Sequence, residues 1–110
     1  MKLVRGTNVY PRAVEALVRE HAEVDEFQIR LYTADGIRDE IEVLIEVPDP
    51  NVDVDALCAR LSKDLADAHE TLRFGVRSVE LGSLPRFELK AKRLMDERIV
   101  IGTEGERRSQ

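Results

Sequence analysis

Two short stretches at opposite ends of the chain hold the residue types best suited to handling anionic groups: RGTNVYP, residues 5–11, and GSLPRFELKAKRLMDER, residues 82–98. In the second, Arg86, Lys90, Lys92, Arg93 and Arg98 put five basic side chains around a Leu-Pro-Arg corner, in a chain of net charge -5. Pro85 stiffens the approach, Arg86 offers a planar fork suited to a carboxylate or phosphate, and a lysine is a mobile point charge that follows charge as it develops. The bland alternative is a solvated basic helix end that complements the negative pole of the helix dipole. In the first stretch Gly6 permits a backbone that other residues avoid, and Asn8 can bridge backbone groups in a turn. By itself it reads as a tight turn feeding a helix or as a binding loop.

Other reactive side chains point elsewhere. His21 and His69 fall in different helical stretches with no cysteine or paired carboxylate at ligand spacing, so core-edge or surface histidines are expected and no metal site. Cys58 lies on an apolar helical face and reads as a small buried hydrophobe rather than a nucleophile. Asp53, Asp55, Asp64 and Asp67 spread over an exposed helix face. No catalytic triad spacing, glycine-rich phosphate loop or zinc pattern is present.

These residues need elements to position them, and 110 residues allow one compact domain with a modest core. The 43% hydrophobic and 35% charged composition fits an ordinary globular chain and excludes collagenous and disordered classes. No apolar run reaches bilayer-spanning length, the first residues lack the apolar middle of a signal peptide, and the lone Cys58 suits a reducing compartment. A cytoplasmic location, no membrane and, from the acidic balance, no nucleic-acid partner are expected.

Val14, Leu17, Val18 and His21 recur at helical spacing behind Pro11, which predicts a helix over residues 12–21. Phe27, Ile29 and Leu31, then Ile41, Val43, Ile45 and Val47, alternate on either side of Asp35-Gly36, which predicts two strands and a turn. Glu42 and Glu46 then fall on outward positions beside Arg30. Asn51 or Asp53 caps a second helix bearing Leu57, Cys58, Leu61 and Leu65. Phe74, Val76, Val79 and Leu81 form a last strand whose alternation slips at Arg77-Ser78, as a bulge would make it. The expectation is an α+β fold: a small mixed sheet of about three strands covered by two to three helices, spanning residues 1–101, with a flexible tail over residues 102–110.

Taken together, in order and spacing, VRGTNVYPRAVEALV and GSLPRFELKAKRLMDER resemble the opening and closing motifs of the C-terminal domain of adenylate-forming acyl-CoA and aryl-CoA ligases, with phenylacetate-CoA ligase as the nearest likeness. The resemblance covers residues 3–98. It implies a lid domain that swings between two orientations, serving first the joining of a carboxylate to ATP and then acyl transfer to coenzyme A. Lys90 matches the family's catalytic lysine, whose ammonium would stabilise charge that builds between carboxylate and α-phosphate. Arg5, Gly6 and Asn8 would line the path of the pantetheine arm, and Arg86 and Arg93 would steady the loop or meet CoA phosphates. ATP, Mg and CoA would serve the complete enzyme, with none held tightly by this domain alone. The implied partner is a large N-terminal adenylation domain, in cis or in trans. The loop departs from the family at Phe87 and Leu89, where Ser or Thr and Gly are usual, which makes it stiffer and more apolar. The alternative is a stand-alone, non-catalytic α+β binding module, possible as a homodimer through a sheet edge.

Overall fold

A computed structural model of the chain describes residues 1–85 and 93–98. Arg86, Phe87, Leu89, Lys90 and Lys92, and the tail over residues 102–110, lie outside the described residues.

The elements run β1 (Lys2–Val4), β2 (Thr7–Val9), α1 (Pro11–Arg19), β3 (Phe27–Ala34), β4 (Arg38–Ile45), α2 (Val54–Ala68), β5 (Gly75–Ser78) and β6 (Leu94–Asp96). The α+β class and the mixed sheet are those expected. The main sheet has the order β5-β4-β3-β6, with β3 and β4 antiparallel and each outer strand parallel to its neighbour. A separate two-stranded hairpin joins β1 to β2.

Local chemistry accounts for each element. Pro11 begins α1, where its missing N–H has no partner to lose, and Val14 and Val18 bury on one face. In α2 the Asp53 carboxylate accepts from the Ala56 N–H at 3.1 Å, an N-cap that satisfies an otherwise orphaned donor. Leu57, Leu61 and Leu65 are fully buried at i, i+4, i+8, and each contributes about 2 kcal/mol by leaving water. Their stripe meets Phe27, Ile29 and Leu31 of β3 and Ile41, Val43 and Ile45 of β4 in one continuous core. Replacing Leu61 by alanine would cost about 2–5 kcal/mol, because the surrounding helix and sheet cannot collapse into the void.

Three details depart from the sequence pattern. The fourth strand, β6, is built from the basic stretch itself, pairing Leu94 with Ile29 and Asp96 with Leu31. The last predicted strand ends at Ser78; the chain then turns, leaving Leu81 57% exposed, so no bulged extension forms. Glu46 is not outward: it is completely buried, whereas Glu42 pairs with its cross-strand neighbour Arg30 at 2.7 Å as its spacing implied.

Candidate functional site

The opening motif forms the turn of the β1–β2 hairpin. Val4 pairs with Thr7, and the two residues between them, Arg5 and Gly6, have φ of +49° and +81°. Two consecutive positive φ values define the two-residue turn whose twist matches the flanking strands. Gly6 adopts this backbone without strain, while Arg5 is held in a region costing a β-carbon-bearing residue on the order of 1 kcal/mol. A β-carbon added at Gly6 would meet nothing within 4 Å, so within this domain glycine is required by conformation and not by crowding. Asn8 lies in β2, opposite Leu3, with its side chain exposed; it does not bridge the turn.

Arg5 reaches Glu40 at the start of β4, at 3.7 Å and with 41% of its side chain exposed. It borders an open polar groove of about 610 Å³, with Arg38, Arg73, Glu40, Glu42 and Glu70 among its walls. Inside the groove Glu42 accepts from Arg30 at 2.7 Å and Arg77 at 3.1 Å. Burial raises the Glu42 pKa, but the hydrogen bonds from Arg77 and Arg30 outweigh it and hold the carboxyl below the usual glutamate range. Arg5 thus borders a groove whose described walls carry side chains of both charges.

The closing motif is seated at the other end of the same strands. Glu46 follows β4 and spreads its carboxylate across the turn at residues 82–84: the Gly82 N–H donates to Oε1 at 3.1 Å and the Leu84 N–H to Oε2 at 2.8 Å. Gly82 has φ +82°, the left-handed geometry such a turn needs. Beyond the undescribed residues, Arg93 is only 14% exposed and forked between two carboxylates, reaching Glu26 at 2.8 Å and Glu15 of α1 at 3.3 Å. Its guanidinium also lies 4.7 Å from the Phe27 ring centroid. Glu26 and Glu46 stand at one end of the β3–β4 hairpin, joined by the Glu46 N–H to Glu26 carbonyl bond at 2.9 Å.

Arg5, Gly6 and Asn8 are therefore grouped on one hairpin, and Arg93 sits away from them among internal acids. Arg93 steadies the structure, and its engaged guanidinium leaves little to offer an external phosphate. Glu15 and Glu26 escaped sequence reasoning, and Glu46 was placed outward, because their partners lie 36 to 78 residues away along the chain. Among the described residues, no group of three or more His, Cys, Asp and Glu side chains is placed to hold a metal ion. His21 bonds Asp64 at 3.2 Å, and buried His69 shares Nδ1 with the Leu65 carbonyl at 2.9 Å. Cys58 is half-buried, and burial pushes its thiol pKa up, away from thiolate reactivity. No helix among the described residues is long and apolar enough to cross a membrane.

This arrangement of a mixed sheet, two covering helices and a leading hairpin is that of the small domain of adenylate-forming ligases. Residues 6–98 match the AMP-binding enzyme C-terminal domain, and the chain belongs to that family. A domain of phenylacetate-coenzyme A ligase from Bacteroides vulgatus superposes with a TM-score of 0.76 at 27% identity, covering 89% of this chain and 92% of that one. The fold also matches 2-hydroxyisobutyryl-CoA ligase in complex with 2-HIB-AMP and CoA in its thioesterification state, with a TM-score of 0.72 and 22% identity over 89% of this chain. The same ligase in its postadenylation state gives 0.70 at 22% identity over 88%. The chain spans 21% of the length of that ligase. No curated protein shows significant sequence similarity to the chain.

Proposed function

We propose that the chain is the C-terminal lid of a phenylacetate-CoA ligase-like enzyme, which turns ATP, an aryl or acyl carboxylate and CoA into acyl-CoA, AMP and pyrophosphate. It is inert without a large adenylation domain, supplied in cis or in trans. The observation that carries this reading is the placement of the two motifs. Arg5 contacts Glu40 near one end of β4 and the closing turn is tied to Glu46 beyond the other. Those positions are separated by roughly 20 Å of strand, at about 3.3 Å per residue. A lid with two working faces needs that separation, because only one face can meet the active site of the large domain at a time.

In this reading Lys90 serves the first half-reaction. Its ammonium would stabilise charge that builds only as the carboxylate attacks the α-phosphate, so it lowers the barrier without tightening ground-state binding. Arg5, Gly6 and Asn8 serve the second, flanking the pantetheine arm with Arg5 free to meet its polar groups. Arg86 would steady the closing loop or meet a phosphate. Magnesium would arrive with the ATP phosphates and the large domain, since the described residues supply no ligand cluster. A cytoplasmic site of action accords with the single, unpaired Cys58.

The test supplies the large domain of a phenylacetate-CoA ligase and follows the half-reactions separately. Lys90→Ala should slow phenylacetate-dependent pyrophosphate exchange, and Gly6→Leu should spare it while slowing thioester formation from the adenylate. Equal loss of both steps in either variant would overturn the two-face assignment. Phe87 and Leu89 favour the rival, a stand-alone, non-catalytic module that binds a small anion or a partner; light scattering with and without ATP or CoA tests it, and a monomer indifferent to both ligands would count against it.

A further inference from the structure

A fully buried carboxylate is costly unless hydrogen bonds repay its lost hydration, and an apolar side chain could fill the same space more cheaply. Glu46 is such a group, at 0% exposure, and its two oxygens each accept a backbone N–H from a turn far along the chain. Glu26, beside it across the hairpin end, is nearly as buried and holds Arg93. Between the bonded turn and Arg93 the chain carries Pro85, Arg86 and Lys90. Both ends of that segment are thus tied by carboxylates to one end of the same rigid hairpin.

We infer that Glu46, with Glu26 as its counterpart, is a positioning residue for adenylation: Glu46 sets where the Lys90 segment begins, and Glu26 with Glu15 sets, through Arg93, where it ends. The inference rests on the role of Lys90 proposed above. Charge-assisted bonds to backbone N–H groups are short and directional, so they fix the turn in a way that apolar packing would not. A displacement of about 1 Å in a catalytic group is enough to cost on the order of a hundredfold in rate, which gives such an anchor its function.

On the chain as it stands, Glu46→Gln should accelerate amide hydrogen exchange at Gly82 and Leu84 at least about tenfold, because an amide can satisfy only one of the two donors, while Val43 and Leu61 keep their rates. With the large domain supplied and phenylacetate as the acid, kcat for pyrophosphate exchange should fall about tenfold to a hundredfold, with the KM for ATP little changed. Thioester formation from the adenylate should stay within about twofold of the parent. Unchanged exchange at Gly82 and Leu84 overturns the inference, as does faster exchange there with adenylation untouched. Should Glu46→Gln lose protection throughout the core, Gly82→Ala decides: it strains the exposed φ +82° turn that donates to Glu46, while its added methyl group meets nothing within 4 Å and leaves the core intact. Slower adenylation with the core still protected supports the anchor, and unaltered adenylation overturns it. Lys90→Ala run alongside separates the two ideas, since its failure to slow exchange sinks the lid reading, whereas an effect from Lys90 without one from Glu46 or Gly82 sinks the anchor alone.

Discussion

At the Arg38 end of the β3–β4 hairpin, the Arg5–Gly6 turn is held by its own backbone dihedrals and by one long, half-exposed ion pair to Glu40. At the opposite end, the flanks of the closing segment are held by acids withdrawn from water to different degrees: fully buried Glu46 on two backbone N–H groups, and buried Glu26 with half-buried Glu15 on Arg93. The difference is one of dielectric. In water-exposed surroundings a charge pair contributes little and the chain relies on turn geometry, so Arg5 remains available to a ligand. In a buried setting each charged hydrogen bond is strong and each lost partner is costly, so the described flanks are fixed in place. One motif carries a half-exposed arginine on a stiff hairpin; the other is framed by rigid supports.

This contrast can be broken in several ways. The largest effect belongs to Lys90→Ala, which in the completed ligase should cut pyrophosphate exchange by about 10²–10³, the usual loss for one preorganised charge in a transition state. Next, Arg93→Ala should destabilise the chain by about 3 kcal/mol in urea unfolding, because buried Glu26 and half-buried Glu15 each lose a charged partner. A loss under about 1 kcal/mol would mean that this end is no better anchored than the other. Gly6→Ala should cost about 1 kcal/mol, purely from the positive φ, since its methyl group would meet open space; a far larger loss in the isolated chain would reveal packing around the turn. For Arg5→Ala the expected loss of stability is below about 1 kcal/mol, and thermal melts that put it level with Arg93→Ala would erase the comparison.

The mildest test uses pH. Glu42 has a folded pKa below its ordinary value, so it stabilises the fold above the unfolded glutamate range, and that contribution disappears as pH falls through the lower folded value. Urea midpoints measured on acidification should therefore drop less steeply in Glu42→Gln than in the parent. Identical slopes would show that the Arg30 and Arg77 hydrogen bonds do not bias ionisation.

Legibility followed the range of the interactions. Helices α1 and α2 and the β3–β4 pair were readable because their apolar residues repeat at 3.6 or 2 over many positions, and Arg30 and Glu42 met because opposite charges faced each other across a predictable register. The β1 and β2 strands are three residues each, too short for periodicity to register, although the Arg-Gly turn between them was visible. Strand β6 was hidden in a basic, poorly periodic stretch because its pairing to β3 is parallel and distant in sequence. The bulge expected after Arg77 reflected continued alternation through Val79 and Leu81, but the ladder ends where β4 ends.

By itself, then, the sequence determined the α+β class, the two helices, the central hairpin and the two motifs that carry the family likeness, because each is written in neighbours a few residues apart. Only the tertiary structure decided that Glu46 turns inward, that Arg93 is held by Glu15 and Glu26, and that the two motifs occupy opposite ends of one hairpin. The physical reason is that alternation assigns a side chain to a face of the sheet, whereas burial of that face depends on which distant segment folds across it. For Glu46 that segment is the turn at residues 82–84, whose backbone N–H groups make a buried charge tolerable.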